Sequence, residues 1–405
     1  MKKEELGGAL RWDECVECGT CLRECRYLGL SADGAVEEIR KINRGEPSVV
    51  TERCVSCYAC DAFCPRGAHP YERIHYAWDE RYRRTGLPAR ARYLMPDQRP
   101  NFRQDVNFSA REKRLLEKWS APAPPARTVL YPGCNLMTLP LLADGAIFER
   151  LPVWGNWGLC CGEMFFRMGL LDRVERTARE LTAFYADTGI EEMVFVCSAC
   201  YNMFGNVLPG QFGARFGFRI TFFTDWFWRE VDAGRLAAPG KLAGSVAVHD
   251  SCHARVLGTE FMETQRAGLR RLGLETHDTV TDLKRGLCCG MASGARRYSV
   301  ADLARYTVMG LRELDRAEGD LGLAYCTGCL LTFSMARLAR PFGKKLVHPL
   351  ELYRKALGEK ALRRNIPRAL SILAGISLKA LPKYFSRDRF RLENGEGLSV
   401  HEKNG

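Results

Sequence analysis

An α+β module at the N-terminus followed by two duplicated α/β domains is the fold class that this sequence predicts. Three observations carry the prediction. Two short runs dense in cysteine lie near the N-terminus, a proline-rich stretch follows at residues 120–126, and beyond it a pattern of β-branched strand, cysteine pair and helix occurs twice.

The first run is Cys15-Val-Glu-Cys18-Gly-Thr-Cys21-Leu-Arg-Glu-Cys25, and its echo is Cys54-Val-Ser-Cys57-Tyr-Ala-Cys60-Asp-Ala-Phe-Cys64-Pro65. Three cysteines at C-x2-C-x2-C on a tight loop reach three corners of one iron–sulfur cube, while the fourth points toward a second cube. The expected module is therefore a ferredoxin-like one over residues 1–75 with two cubane 4Fe-4S clusters. Cys15, Cys18, Cys21 and Cys64 hold one, and Cys54, Cys57, Cys60 and Cys25 hold the other. A pair of zinc sites is the competing reading, but tetrahedral zinc gains nothing from the repeated third and fourth cysteines. Gly19 and Ala59 let the backbone pass close to sulfide, and Pro65 follows the fourth cysteine as the bacterial pattern asks. Arg26 breaks that pattern in the first run.

The chain has 405 residues and 18 cysteines, enough length for two or three cores and too many thiols for a structural role in a reducing compartment. Met1 to Gly8 has no apolar core of an export signal, so a cytoplasmic location is expected. The longest apolar run, Ala369 to Leu378, is about half of what a bilayer requires. The formal charge of +12 counts every cysteine as neutral. Ligating thiolates are deprotonated, so two cubanes on eight of them contribute roughly −4, and two further clusters about the same again. Much of the arginine excess is then counter-charge. The basic residues are dispersed and no reader motif is present, so nucleic acid is not an expected partner.

Between the cysteine runs, Val36, Ile39 and Ile42 predict a short amphipathic helix over 34–43. Residues 76–126 read as a helical connector, with Ile74, Ala77, Trp78 and Tyr82 at helical spacing, ending in the stiff hinge Ser120 to Ala126. The first repeat, 127–243, contains Val129 to Cys134, Cys160-Cys161-Gly162 and Cys197-Ser-Ala-Cys200. The second, 244–352, contains Val246 to Cys252, Cys288-Cys289-Gly290 and Cys326-Thr-Gly-Cys329. From the paired cysteines onward the copies keep register to within one residue; before them, 25 residues separate Cys134 from Cys160 and 35 separate Cys252 from Cys288. A helix is expected after each Cys-Cys-Gly. One runs from Leu170 to Asp187, with Leu171, Val174, Ala178 and Leu181 apolar; the other from Val300 to Arg316, with Leu303, Ala304, Val308 and Leu311 apolar. Alternation of strand and helix argues for parallel sheets, whose ligands gather at strand carboxyl ends, where Cys134, Cys197, Cys252 and Cys326 fall.

Five cysteines per copy is one more than a cubane or a zinc ion needs, which points to a larger or distorted cluster. The repeat resembles the Cys-Cys-Gly domain of heterodisulfide reductases. A ferredoxin module followed by two such domains resembles the D-type polypeptide of those reductases, or a fusion of their C-type and B-type polypeptides. Glycerol-3-phosphate, glycolate and lactate oxidation complexes carry similar iron–sulfur subunits. The resemblance covers roughly residues 10–352 and implies a noncubane 4Fe-4S cluster in each copy. The ligands would be Cys134, Cys160, Cys161, Cys197 and Cys200 in the first. In the second they would be Cys252, Cys288, Cys289, Cys326 and Cys329, which would be the catalytic set. In such reductases the paired clusters split a disulfide, with electrons arriving through the cubanes. Some relatives hold zinc in one domain, and the short spacing of the first copy leaves zinc at Cys134 to Cys200 as the alternative there. Gly162 and Gly290 fit a close approach to a cluster or a simple turn. His249, Asp250 and His253 resemble the family motif around Cys252, as a proton donor to a leaving thiolate or as packing behind the ligands.

The tail, 353–405, is basic around its apolar run, with Pro367, Gly375 and Pro382 interrupting any long helix. It either closes the last domain or docks on an anionic leaflet or a partner subunit. The expected function is reversible disulfide reduction within a complex. No flavin or nucleotide fingerprint is present, so a flavoprotein, a hydrogenase-type subunit or a membrane cytochrome or quinone-reactive subunit would supply the rest. The competing function is an electron relay with no small-molecule substrate, and a third is a zinc-rich scaffold.

Overall fold

The computed structural model describes residues 11–98, 101–122, 124, 126–360 and 362–392. The stretch Met1 to Gly8, two hinge residues and the end of the tail lie outside them.

The N-terminal module is helical. No strand occurs among its described residues, so the α+β expectation for it is corrected. The segment between the cysteine runs forms α1, Ala32–Arg44, capped by Ser31 and closed by left-handed Gly45. Ile39 and Ile42 are buried as their spacing predicts, whereas a hairpin would have needed a two-residue period. Helix α2, Pro70–Thr85, runs straight through residue 75, so the module and its connector share one rigid rod. Ile74, Trp78 and Tyr82 face inward, and Trp78 Nε1 donates to the Thr51 carbonyl (2.9 Å). Helix α3, Ala110–Trp119, opens on a Ser109/Glu112 capping box and leads into the hinge.

Both repeats are parallel α/β layers. The first sheet takes β1, Thr128–Tyr131, β2, Glu192–Phe195, and β3, Arg219–Phe222, in that order. The second takes β4, Ser245–His249, β5, Glu275–Asp278, β6, Leu321–Ala324, and β7, Lys345–Val347, in the order β5-β4-β6-β7. On the outer side of β1, a single parallel bridge joins Leu130 to Val153, where the second repeat has all of β5. The longer crossover of the second repeat holds the helix Thr259–Arg271 and the edge strand β5, whereas short helical segments fill the shorter one of the first repeat. The strands that end at cysteines are untouched.

After each cysteine pair a short helix, α4 (Glu163–Met168) or α6 (Met291–Arg297), precedes a long one, α5 (Leu171–Tyr185) or α7 (Val300–Arg316). Val174, Ala178 and Leu181 of α5 are buried as expected. On α7 the buried face is Tyr306, Thr307, Gly310, Leu311 and Leu314, with Ala304 exposed, which differs from the expected stripe. The reason is the Cys-Cys-Gly turn beneath it: a Cβ on Gly290 (φ +87°) would meet Thr307 N at 2.4 Å, and one on Gly310 the Cys288 carbonyl at 2.6 Å. Small and polar residues pack there because larger ones cannot. Gly162 lies likewise against Thr177, so both glycines let the turn pack closely on the following helix.

The tail closes the fold. Helix α8, Asn365–Gly375, continues through Gly375 in wider and then tighter turns to Tyr384 and buries Arg368, Ala369, Ile372, Ile376 and Ala380. Its last described residues pair with the connector, Phe390 against Leu87. Arg368 binds Glu112, both side chains 1% exposed, and donates to the Asn107 carbonyl (2.9 Å). Replacing Arg368 with Ala takes the nearest cation from a buried carboxylate and leaves it Arg364 at 3.8 Å and Ser109, and denaturant unfolding should show a loss of about 3 kcal/mol. The double change Arg368→Met with Glu112→Gln should recover most of it.

Candidate metal centres

Cys15, Cys18, Cys21 and Cys64 line one small cavity, and Cys25 lies near Cys57. Burial, and then the thiols of Cys64, Cys15 and Cys18, push Cys21 well above its ordinary range. Burial followed by Cys57 and Cys25 acts on Cys54, raising it to about 12, and burial with Cys57 raises Cys25 to about 11. Cys64 therefore joins the first trio and Cys25 the second. Cys60, also raised chiefly by burial, feels Cys21 as well as Cys54, so the two sets adjoin. Backbone and amide donors reach the sulfurs: Ala68 N to Cys64 (3.3 Å), Ser56 N to Cys54 (3.3 Å) and Asn43 Nδ2 to Cys15 (3.4 Å). Such donors favour thiolates, as ligation requires.

Each repeat gathers its five cysteines at the carboxyl ends of its strands. In the first, Cys134 bonds Cys160, and Cys161 Sγ lies 3.5 Å from Cys200 Sγ. In the second, the free thiols of Cys252 and Cys288 adjoin, as do those of Cys289 and Cys329. The two sets meet across the seam between repeats, where Cys197 Sγ and Cys326 Sγ are 3.7 Å apart. Protonation is uneven within each set. Thiol donors from Cys160 and Cys200 lower Cys161 to about 6, and those from Cys288 and Cys329 hold Cys289 well below its ordinary range, while Cys134, Cys200, Cys252, Cys326 and Cys329 are raised. Buried sulfurs this close cannot all ionise without a cation among them, so the donor set fits a thiophilic metal centre.

Sequence reasoning missed three buried arginines. Arg167 of α4 in the first repeat reaches the second repeat's set, donating from Nη2 to Cys252 Sγ (2.9 Å), from Nη1 to the Ser56 carbonyl and from Nε to Glu163 (2.5 Å). Arg255 donates to the Cys57 carbonyl (3.5 Å) and faces Cys252 and Cys288. Arg103 of the connector acts on Cys134 and Cys160. An arginine inside the apolar run Met164-Phe-Phe-Arg-Met168 was the available signal. Tyr27 was missed too: its hydroxyl accepts from Cys288 N (2.7 Å). Arg26, where the pattern asks for proline, bonds Glu313 (2.5 Å) and the Arg285 carbonyl (2.8 Å) and so fastens the module to the second repeat.

The flanking polar residues separate by role. Asp250 is locked by Arg266 (3.0 and 2.6 Å) and by the Tyr325 hydroxyl (2.6 Å), a structural tie. His253 is held between Asn202 (3.1 Å) and Glu163 (3.1 Å). Burial raises Glu163, but Arg167 and His253 outweigh it and hold the carboxyl at about 2. His249 packs edge-on against Phe333, and burial lowers it to about 4.

The site is thus a pair of cysteine-rich α/β units docked on a cysteine-loop module. Residues 146–205 and 246–334 match the family model of the cysteine-rich domain CCG, once in each repeat. The first match begins after Cys134, and the second contains its whole set. No curated protein matches the chain. The CCG domains and the 18 cysteines point to iron–sulfur electron transfer.

His348 is also lowered to about 4, chiefly by burial. Its folded value lies below the unfolded one of about 6.5, so the stability it contributes is present above pH 6.5 and is lost as pH falls toward 4, up to about 3 kcal/mol. His348→Asn keeps a cap for α-helical residue Leu350 and should flatten that slope in unfolding midpoints measured from pH 7 to 4.

Proposed function

We propose that the chain is an iron–sulfur oxidoreductase subunit resembling heterodisulfide reductase, with two cubane clusters serving two noncubane 4Fe-4S clusters. The observation that carries this reading is the contact series from the cubane loop to the seam. Cys15, Cys18, Cys21 and Cys64 adjoin Cys25, Cys54, Cys57 and Cys60. Arg167 and Arg255 join the second of these sets to Cys252 and Cys288, and Cys326 meets Cys197 of the first repeat. Bound clusters would supply single electrons, two of which with two protons turn a disulfide into two thiols. The protein's own residues would exclude water and balance charge: Arg167 and Arg255 offset thiolate charge, and His253, between Glu163 and Asn202, can pass a proton beside Cys252. Cys252, Cys288, Cys289, Cys326 and Cys329 would be the catalytic set.

The short first-repeat spacing falls in a crossover away from its cysteines, which supports a like centre there rather than zinc. A second reading, an electron relay without a substrate, is favoured by burial, since nine of the ten repeat cysteines are buried. Iron, sulfide and zinc counts on anaerobically purified protein test the first point. About sixteen irons are expected, whereas about twelve with one zinc would demote the first repeat. Thiols should perturb the EPR signal of the oxidised protein; unchanged signals alongside rapid reduction by a partner would favour the relay.

The partner surface we propose is the outer face of the tail, set against an anionic membrane on the cytoplasmic side. Among the described residues no helix is long and apolar enough to cross a membrane. Leu370 (54% exposed), Leu378 (74%), Leu381 and Phe385 (93%) nevertheless line one side of the tail, flanked by Lys383 and Arg387. The holoprotein should float with phosphatidylglycerol vesicles at low salt and not with phosphatidylcholine, and Leu378→Glu with Phe385→Glu should abolish flotation. Flotation of neither would leave this face to a protein subunit.

A further inference from the structure

A cleft of about 760 Å3 opens where the cysteine-loop module and both repeats meet, a volume that suits a small metabolite. Three buried polar side chains on its wall have atoms without a hydrogen-bond partner: the Tyr58 hydroxyl, Glu72 Oε2, and Nε and Nη2 of Arg255. They are 2%, 4% and 2% exposed. Unpaired buried groups cost about 1–3 kcal/mol each, more when charged, so three from two different parts of the chain lining one cleft call for an occupant. Asp61 stands beside Glu72, giving that part of the wall two carboxyl groups, while the first repeat adds the amides of Asn206 and Gln211, the latter bonded to Glu72 Oε1 (3.1 Å).

We propose that this cleft binds a small zwitterion, with its carboxylate on Arg255 and its ammonium on Asp61 and Glu72. The placement says which. Tyr58 lies between Cys57 and Cys60, its ring 5.3 Å from the His253 ring, and Arg255 is one helical turn from Cys252. The cleft therefore adjoins the catalytic set of the proposed function. On that reading, the ligand is an amino-acid-derived disulfide or its thiols. The net change is one S–S bond broken and two S–H bonds formed, with two electrons from the partner and two protons from solvent. Arg255 Nη1 donates to the Cys57 carbonyl (3.5 Å) and its charge is felt by Cys252 and Cys288, which ties this anchor to the centre and leaves Nε and Nη2 for the ligand.

The test is anaerobic calorimetry on the holoprotein with glutathione disulfide, a zwitterionic probe, against uncharged bis(2-hydroxyethyl) disulfide. One saturable site for glutathione disulfide is expected, with affinity at least tenfold above that of the uncharged probe. Glu72→Gln should weaken it at least tenfold at unchanged iron content. Asn206→Trp, at an exposed position on the cleft, should do the same by filling it. Equal affinity for both probes, or glutathione disulfide binding untouched by both variants, would overturn the proposal. So would stoichiometric Mn2+ uptake lost in Glu72→Gln, because Asp61, His69 and Glu72 would then be ligands of a cation. Binding without any change in the EPR signal would keep the site and remove disulfide reduction; no binding with clusters intact would remove the site alone.

Discussion

The arrangement depends on where Arg167 puts its charge. A guanidinium 1% exposed pays a large desolvation cost unless anions and carbonyls surround it, and its only carboxylate is Glu163. The remaining donors go to a sulfur of the second repeat and to the Ser56 carbonyl of the second cysteine run, three segments drawn onto one cation. Arg255 repeats the device with Cys57 and the same cysteine set. Both arginines are at home only if the sulfurs around them are negative. Folding and ligation are therefore coupled: thiolates that need a metal are also the counter-charge that lets the module dock. The formal excess of twelve positive charges has the same explanation in part, since the inward arginines are balanced by groups that a residue count treats as neutral.

Duplication supplied the second constraint. In both repeats the cysteines sit on strand ends and on the turn after the pair, so only those elements must be kept, and the first repeat could lose an edge strand without moving a sulfur. In the second sheet, β4 and β6 are neighbours whose connections leave in opposite directions, and Cys252 and Cys326 flank the crevice between them. The seam contact between Cys197 and Cys326 then places the two crevices against each other. Both repeats touch the cysteine-loop module, the first through Arg167 on the Ser56 carbonyl and the second through Arg255 on the Cys57 carbonyl, so module and repeats meet around one junction.

Much of this was legible in the sequence because it is local. Helices α1 and α5 follow from apolar period. The parallel sheets follow from alternation of element types. What escaped was long-range. Arg26 reads as a broken motif until Glu313, 287 positions away, is beside it. The buried face of α7 is set by contact with the Cys-Cys-Gly turn rather than by its own hydrophobicity, so apolar periodicity points to the wrong stripe. Strands were expected in the N-terminal module from its fold class alone, whereas its residues are spent on loops and short helical turns.

The tail shows how position changes the meaning of a charge run. As a sequence it is a basic segment around an apolar core, equally suited to a membrane, a partner or its own domain. In the fold, Arg368 is buried against Glu112, Arg363 pairs with Glu351 (2.6 Å) and Lys379 binds Asp105, so these charges are consumed in closing the protein. The uncompensated charges and the apolar side chains that find no cover lie together on the opposite side, toward Phe385. One helix thus has two faces with separate physical demands. The inner face is satisfied within the chain, while the outer one keeps its apolar side chains and its lysine and arginine in water, which is the physical ground for the proposed docking there.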